Sequence, residues 1–157
     1  MKNWIPIIFV AVGLGCGGGH DREHGHNHND QDGHGHEAPH GGVLVDVGDE
    51  FCHLEFVQEP ESDRLQLHIM RFHPKEMPVK CVMEQIEVSA KVGDEEKVVI
   101  FKPVELDGVT ATDQPTSLYM AEVDWLKNAA NFNGTVMELK IEGKIFSEIA
   151  FQFTKPD

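Results

Sequence analysis

Short runs in which hydrophobic and polar residues alternate dominate the chain from Gly41 onward. A period of two residues is typical of β-strands that have one buried face. The clearest runs lie at 51–57 and 65–72, on either side of the turn-forming segment EPESD. Further strands are predicted at 43–47, 85–92, 97–102, 118–123, 136–142 and 144–153. The pattern predicts an antiparallel β-sandwich of about seven to eight strands, of the immunoglobulin-like or cupredoxin-like kind.

Turn and cap signals separate these predicted strands. Gly93-Asp94 and Glu142-Gly143 are typical of hairpin turns. Asp124 is expected to cap a short helical turn over 125–130, which ends before Gly134. The remaining pattern contains no long amphipathic helix, so the domain is predicted to be all-β.

The hairpin formed by 51–57 and 65–72 has one hydrophobic face and one face that carries metal-binding side chains. A one-residue slip would mix the two faces, so the register must keep the hydrophobic side chains of the two strands on one face. Any such register places two imidazoles, a carboxylate and a thioether on the outer face: His53, Glu55, His68 and Met70. Cross-strand Cβ atoms lie about 4.5–5.5 Å apart, so these groups can converge on one ion. The alternative is a sheet face that binds no ligand.

Two further histidines adjoin this candidate site. His40 immediately precedes the predicted domain and is placed to cap the site from the N-terminal side. His73 lies in the loop 73–76 and is interpreted as a turn residue. Imidazole suits Cu(II) or Zn(II), and a thioether suits Cu(I), so the donors do not select one metal.

Residues 1–15, MKNWIPIIFVAVGLG, have the features of an export signal. Lys2 supplies the positive n-region, and 4–14 form an uncharged stretch too short to span a bilayer. Cys16 and the glycines around it resemble a bacterial lipoprotein signal, in which the cysteine carries the lipid. That resemblance implies an exported protein anchored to an envelope membrane, with its domain facing the periplasm or the exterior. The alternative is an ordinary cleaved signal and a soluble secreted protein.

Seven of the ten histidines lie between His20 and His40. They alternate with glycine, asparagine and acidic residues, which predicts that 16–40 is a flexible tether with no core of its own. Imidazoles on such a chain can fold around Cu, Zn, Ni or Co ions. The candidate ligands here are His20, His24, His26, His28, His34, His36 and His40. The alternative is a hydrophilic spacer.

Composition limits the function classes that fit the predicted domain, 41–157. The formal net charge of −14 repels nucleic acid and attracts cations. Cys52 and Cys81 can form a disulfide in an exported protein, or remain thiols that ligate a soft metal. No phosphate-binding loop, nucleophile elbow or zinc-protease motif occurs in the sequence, so the chain is not expected to be an enzyme.

The segment PHGGVLVDVGDEFCHLEFVQEPESDRLQLHIM resembles the start of a domain found in bacterial envelope proteins linked to heavy-metal efflux. The motifs that carry the resemblance are His40-Gly41-Gly42 and His53-Leu54-Glu55. The resemblance implies a stand-alone form of an accessory domain associated with the periplasmic adaptor subunits of metal exporters. The long helical hairpin of an adaptor is missing, so the chain is not expected to bridge an efflux pump.

Together these features predict an envelope-anchored lipoprotein that binds transition-metal ions for homeostasis, resistance or delivery to an efflux or uptake partner. The alternative is an immunoglobulin-like lipoprotein that docks another envelope protein and uses the histidine run as a solvated spacer. The two hypotheses differ in whether the histidines are needed for function.

Overall fold

The structure is a computed structural model that describes residues 36–60, 62–104, 116–129 and 131–155. The predicted signal at 1–15 and the predicted lipidation site Cys16 lie outside these residues. The same holds for part of the predicted tether, namely His20, His24, His26, His28 and His34. Within the described ranges, no helix is long and apolar enough to cross a membrane.

The described residues form nine strands, and every pairing between them is antiparallel. The strands are β1 (Val43–Val47), β2 (Cys52–Gln58), β3 (Arg64–Arg71), β4 (Met77–Pro78), β5 (Ile86–Val92), β6 (Glu95–Pro103), β7 (Leu118–Glu122), β8 (Asn131–Ile141) and β9 (Lys144–Thr154). Their spatial order is β1-β2-β3-β7-β6-β5-β8-β9, and β4 pairs with β3. The prediction of an all-β antiparallel sandwich is confirmed.

One hydrophobic core joins the two ends of this strand order. Phe56 of β2 stacks on Phe151 of β9, with ring centroids 4.1 Å apart. The Phe56 ring also meets Phe101 of β6 edge-on, at 5.8 Å. β6 pairs with β5 along most of its length and with β7 through Lys102 and Pro103. β6 therefore connects β1, β2, β3 and β7 on one side of the strand order with β5, β8 and β9 on the other.

Three details differ from the predicted elements. β8 begins at Asn131, and Gly134 lies inside the strand. Glycine is required there because an added Cβ would overlap the ring of Phe151. The predicted helical turn is a 3-10 helix, Asp124–Asn128, whose N-cap is Val123; Asp124, predicted as the cap, lies in the first turn instead. The short strand β4 has no hydrophobic alternation that could have predicted it.

The register of the β2–β3 hairpin keeps the hydrophobic and the polar side chains on separate faces, as predicted. Leu54 pairs with Ile69, Glu55 with His68 and His53 with Met70. The outer face is nevertheless covered, since His53 is 3% exposed, Glu55 0% and Met70 4%. Residues 36–42, most of which belong to the predicted tether, supply much of this cover and are called the covering segment below.

Candidate functional site

The covering segment is held by one buried carboxylate. Oε1 of Glu55 accepts hydrogen bonds from the backbone N–H groups of His40 (2.8 Å) and Gly42 (3.0 Å). Its Oε2 accepts a third from Nδ1 of His40, at 2.6 Å. Three donors therefore satisfy a carboxylate that would otherwise be costly to bury. We call this arrangement the Glu55 clamp.

The two glycines of the clamp have different physical roles. Gly41 has φ +74°, in the left-handed region that side chains with a Cβ disfavour. Gly42 lies so close to β2 that an added Cβ would overlap the carbonyl oxygen of Phe56. The His-Gly-Gly and His-x-Glu motifs thus meet in space, because the glutamate of the second holds the backbone of the first.

A first cluster of ligand groups lies towards the N-terminal end of the covering segment. One ligand atom each from His36, Glu50 and His73 lies within 4.8 Å of the other two. Glu50 comes from the β1–β2 turn and His73 from the loop after β3, and antiparallel pairing brings both to the same end of the sheet. We call these three residues, with His53 beside them, the His36 group.

His53 is the buried member of the His36 group. Its ring lies edge-on to that of His36, with centroids 5.3 Å apart. Phe72 stacks on His36 at 4.2 Å and meets His53 at 4.8 Å, so it forms an apolar wall. Among the described residues, neither Nδ1 of His53 nor Nε2 of His36 has a hydrogen-bond partner, although both atoms are buried. Such unpartnered nitrogens are unusual in a folded protein.

A second cluster lies around His40. The imidazoles of His40 and His68 stack with centroids 3.9 Å apart and an interplanar angle of 17°. Both rings line a pocket of about 240 Å³ together with Met70. The rest of its lining comes from Ile69, Glu76, Met77, Pro78 and Ser117. We call it the His40 pocket.

Burial sets the protonation of one histidine in each cluster. Desolvation lowers the pKa of His53 below its usual range, and the charge of Asp46 opposes this shift. Desolvation also lowers the pKa of His68, and neighbouring His40 adds to the effect. Both histidines are therefore neutral at pH 7, which is the form that ligates metal.

The cysteines take no part in either cluster. Cys52 and Cys81 are buried free thiols, so of the two alternatives left open by the sequence the structure has the thiols and not the disulfide. Cys52 belongs to the hydrophobic core, on the opposite face of β2 from His53. Burial raises its pKa to about 12, which keeps it protonated and a poor metal ligand.

The structure divides the residues that the sequence grouped as one site. His53 lies in the His36 group, whereas His68 and Met70 line the His40 pocket. Glu55, predicted as a ligand, is occupied by the clamp. His73, interpreted as a turn residue, lies in a loop but also joins His36. Glu50 was not predicted as a ligand, although the order of the predicted strands already placed it in the turn between β1 and β2.

Comparison of this chain with protein-family models, with curated proteins and with solved structures gives no match.

Proposed function

We propose that this chain is a bacterial envelope lipoprotein that binds divalent transition-metal ions at the His36 group. The observation that carries the proposal is the convergence of His36, Glu50 and His73 within 4.8 Å, beside a buried imidazole nitrogen that has no hydrogen-bond partner in the described part of the chain. Three protein donors with a further position open are sufficient for Zn(II) or a related ion.

The donor chemistry favours ions of the Zn(II), Cu(II), Ni(II) and Co(II) class. Imidazole nitrogen and carboxylate oxygen are borderline and hard ligands, and the group contains no thiolate. A bound cation would also supply a partner for Nε2 of His36, which is buried and has none among the described residues. The ion would thereby remove the cost of leaving this buried nitrogen unsatisfied.

The position of the group supports a role in receiving ions. His36 is part of the histidine run, and His34 precedes it by two residues. An ion held by the run can therefore move to the domain by exchanging one imidazole at a time. The net charge of −14 raises the local concentration of cations.

The predicted signal, the Cys16 anchor and the resemblance to efflux-associated domains support an envelope location and an efflux or uptake partner. We infer that the protein collects ions near the membrane and passes them to that partner.

Zinc titration by calorimetry tests the proposal. The protein is the full chain in which the predicted tether ligands outside the described residues are changed to Asn: His20, His24, His26, His28 and His34. We expect it to bind one zinc ion, and we expect Glu50→Gln in this background to lower the affinity roughly tenfold or more. Glu87→Gln removes the same charge from an exposed position on β5 and serves as the control.

Two results would overturn the proposal. One is the absence of zinc binding by the full chain with all its histidines intact. The other is zinc affinity that Glu50→Gln and Glu87→Gln lower equally, because that would mean the ion responds only to net charge.

A further inference from the structure

The His40 pocket contains ligand groups that the His36 group lacks. Met70 is a buried thioether on β3, and it lines the pocket together with the imidazoles of His40 and His68. A second thioether, Met77, and the carboxylate of Glu76 belong to the exposed part of the lining. Sulfur and imidazole donors therefore line one small cavity at the protein surface.

Each imidazole of the pocket already has one nitrogen engaged by the protein. Nδ1 of His40 donates to Glu55 at 2.6 Å, and its Nε2 has no hydrogen-bond partner among the described residues. Nε2 of His68 donates to Oε1 of Gln66 at 3.0 Å, and within the same residues its Nδ1 has none. The Nε2 group of Gln66 in turn donates to Glu59 at 2.9 Å, and this fixes which end of the amide faces His68.

This pattern is the outer coordination shell found around metal-bound histidines. Metal-ligating imidazoles commonly donate their second N–H to a carboxylate or an amide oxygen, which fixes the tautomer and orients the ring. Both histidines of the pocket satisfy that rule without any ion present. A purely structural stack of two histidines would not require both tautomers to be fixed.

We propose that the His40 pocket is a second metal site, selective for a soft monovalent ion of the Cu(I) class, with His40, His68 and Met70 as its ligands. Thioether sulfur selects Cu(I) over Zn(II), whereas imidazole accepts both. The inference rests on the proposed function, because it assumes that this protein handles transition metals. It adds a metal class that the His36 group, with its carboxylate and no sulfur, does not favour.

Glu55 acts as a positioning residue in this site. Its oxygens accept three hydrogen bonds from the covering segment and it is fully buried, so its role is to orient His40. Its removal would weaken Cu(I) binding through the orientation of that ring.

Nuclear magnetic resonance of isotope-labelled methionine methyl groups tests the site directly. The probe is Ag(I), a redox-inert ion with the ligand preferences of Cu(I), added to the full chain with the five substitutions His→Asn described above. We expect Ag(I) to shift the Met70 methyl resonance and to leave those of Met120 and Met137 unchanged. Zn(II) added to the same protein should leave the Met70 resonance in place.

Two methionine-to-leucine substitutions distinguish metal ligation by the Met70 sulfur from packing by the Met70 side chain. Met70→Leu keeps the volume of the side chain and removes the sulfur, and we expect it to lower Cu(I) affinity in a competition assay roughly tenfold. Met120→Leu is the matched control, since Met120 belongs to the same sheet through its pairing with Gln66 and is not part of the pocket lining. Zinc affinity should be the same in both variants.

The outcomes distinguish this inference from the proposed function. If zinc binds at the His36 group but Ag(I) leaves the Met70 resonance unchanged, the soft site is wrong and the proposed function stands. Equal shifts of the Met70, Met120 and Met137 resonances would indicate unspecific binding and would also overturn the inference. If neither Zn(II) nor Ag(I) binds, both proposals are wrong.

Discussion

The two histidine clusters lie towards opposite ends of the same covering segment, and they differ in how their donors are held. In the His40 pocket, protein acceptors hold one nitrogen of each ring. In the His36 group, buried nitrogens of His36 and His53 have no hydrogen-bond partner among the described residues. The pocket is therefore organised without an ion, whereas we propose that an ion completes the His36 group. Preorganised ligands lose less entropy on binding, so the two sites should respond differently to substitution and to metal.

The largest expected effect is on the Glu55 clamp. Glu55→Ala leaves two backbone N–H groups and Nδ1 of His40 without their acceptor, so we expect the free energy of unfolding to fall by about 3 kcal/mol or more. Urea unfolding of the metal-free chain measures this loss. Glu50→Ala is the matched carboxylate of the His36 group and should change stability by less than about 0.5 kcal/mol. If both variants lost the same free energy of unfolding, the two clusters would not differ in how firmly the metal-free protein holds their donors.

The next largest effect is expected on the zinc and Ag(I) affinities of variants that each remove one histidine, His73 or His68. His73→Asn should lower zinc affinity roughly tenfold, or about 1.4 kcal/mol, and leave Ag(I) affinity unchanged. His68→Asn should do the reverse. Competition with chelators selective for each ion measures both constants. If either variant weakens the binding of both ions to the same extent, the two clusters form one site.

Gly41→Ala should cost about 1 kcal/mol of stability, because Gly41 has φ +74° and an added Cβ would meet no neighbouring atom. Gly93→Ala is a close control, with φ +61° and equally open surroundings in the β5–β6 turn. Thermal unfolding should show similar losses in the two variants. Only Gly41→Ala should also weaken Ag(I) binding, because only Gly41 follows His40. If the Gly41→Ala and Gly93→Ala variants bound Ag(I) with equal affinity, the backbone conformation of Gly41 would not position the His40 ring.

The smallest effect is expected at the thiols. Because Cys52 and Cys81 are buried, iodoacetamide at pH 8 should label the native chain far more slowly than the unfolded chain, and mass spectrometry measures both rates. Burial raises the pKa of Cys52 from 9.0 to about 12. Its contribution to stability is thus fully present below pH 9.0 and is lost as the pH rises towards about 12. Rapid labelling of the native chain would contradict the burial of the thiols, and protection of the thiols by zinc would contradict a zinc site without thiolate ligands.

The sequence predicted the fold and the two faces of the hairpin because both follow from side-chain alternation. Alternation did not select the observed register, in which Leu54 pairs with Ile69 and Glu55 with His68, because a shift by two residues keeps the same faces. The strand β8 was predicted too short because Asn131 and Gly134 disfavour strands, and only the packing of the Phe151 ring explains the glycine.

The division into two clusters could not be read from the alternation. Strand parity shows that His53 and His68 share a face, but it does not show that residues 36–42 fold back onto that face. Without that contact, Glu55 was interpreted as a ligand when its oxygens serve the backbone of His40 and Gly42. The pairing of Glu50 with His36 and His73 likewise depends on loop conformation, which carries no periodic signal.

The Glu55 clamp also decides where the folded unit begins. The hydrophobic pattern predicts that the domain begins near Gly41. A chain that began there would leave the fully buried carboxylate of Glu55 without the backbone and ring donors of His40. The smallest fragment expected to fold with native stability therefore starts within the histidine run, near His36. The C-terminal part of the histidine run therefore cannot be deleted as if it were linker, because the covering segment is part of the folded domain.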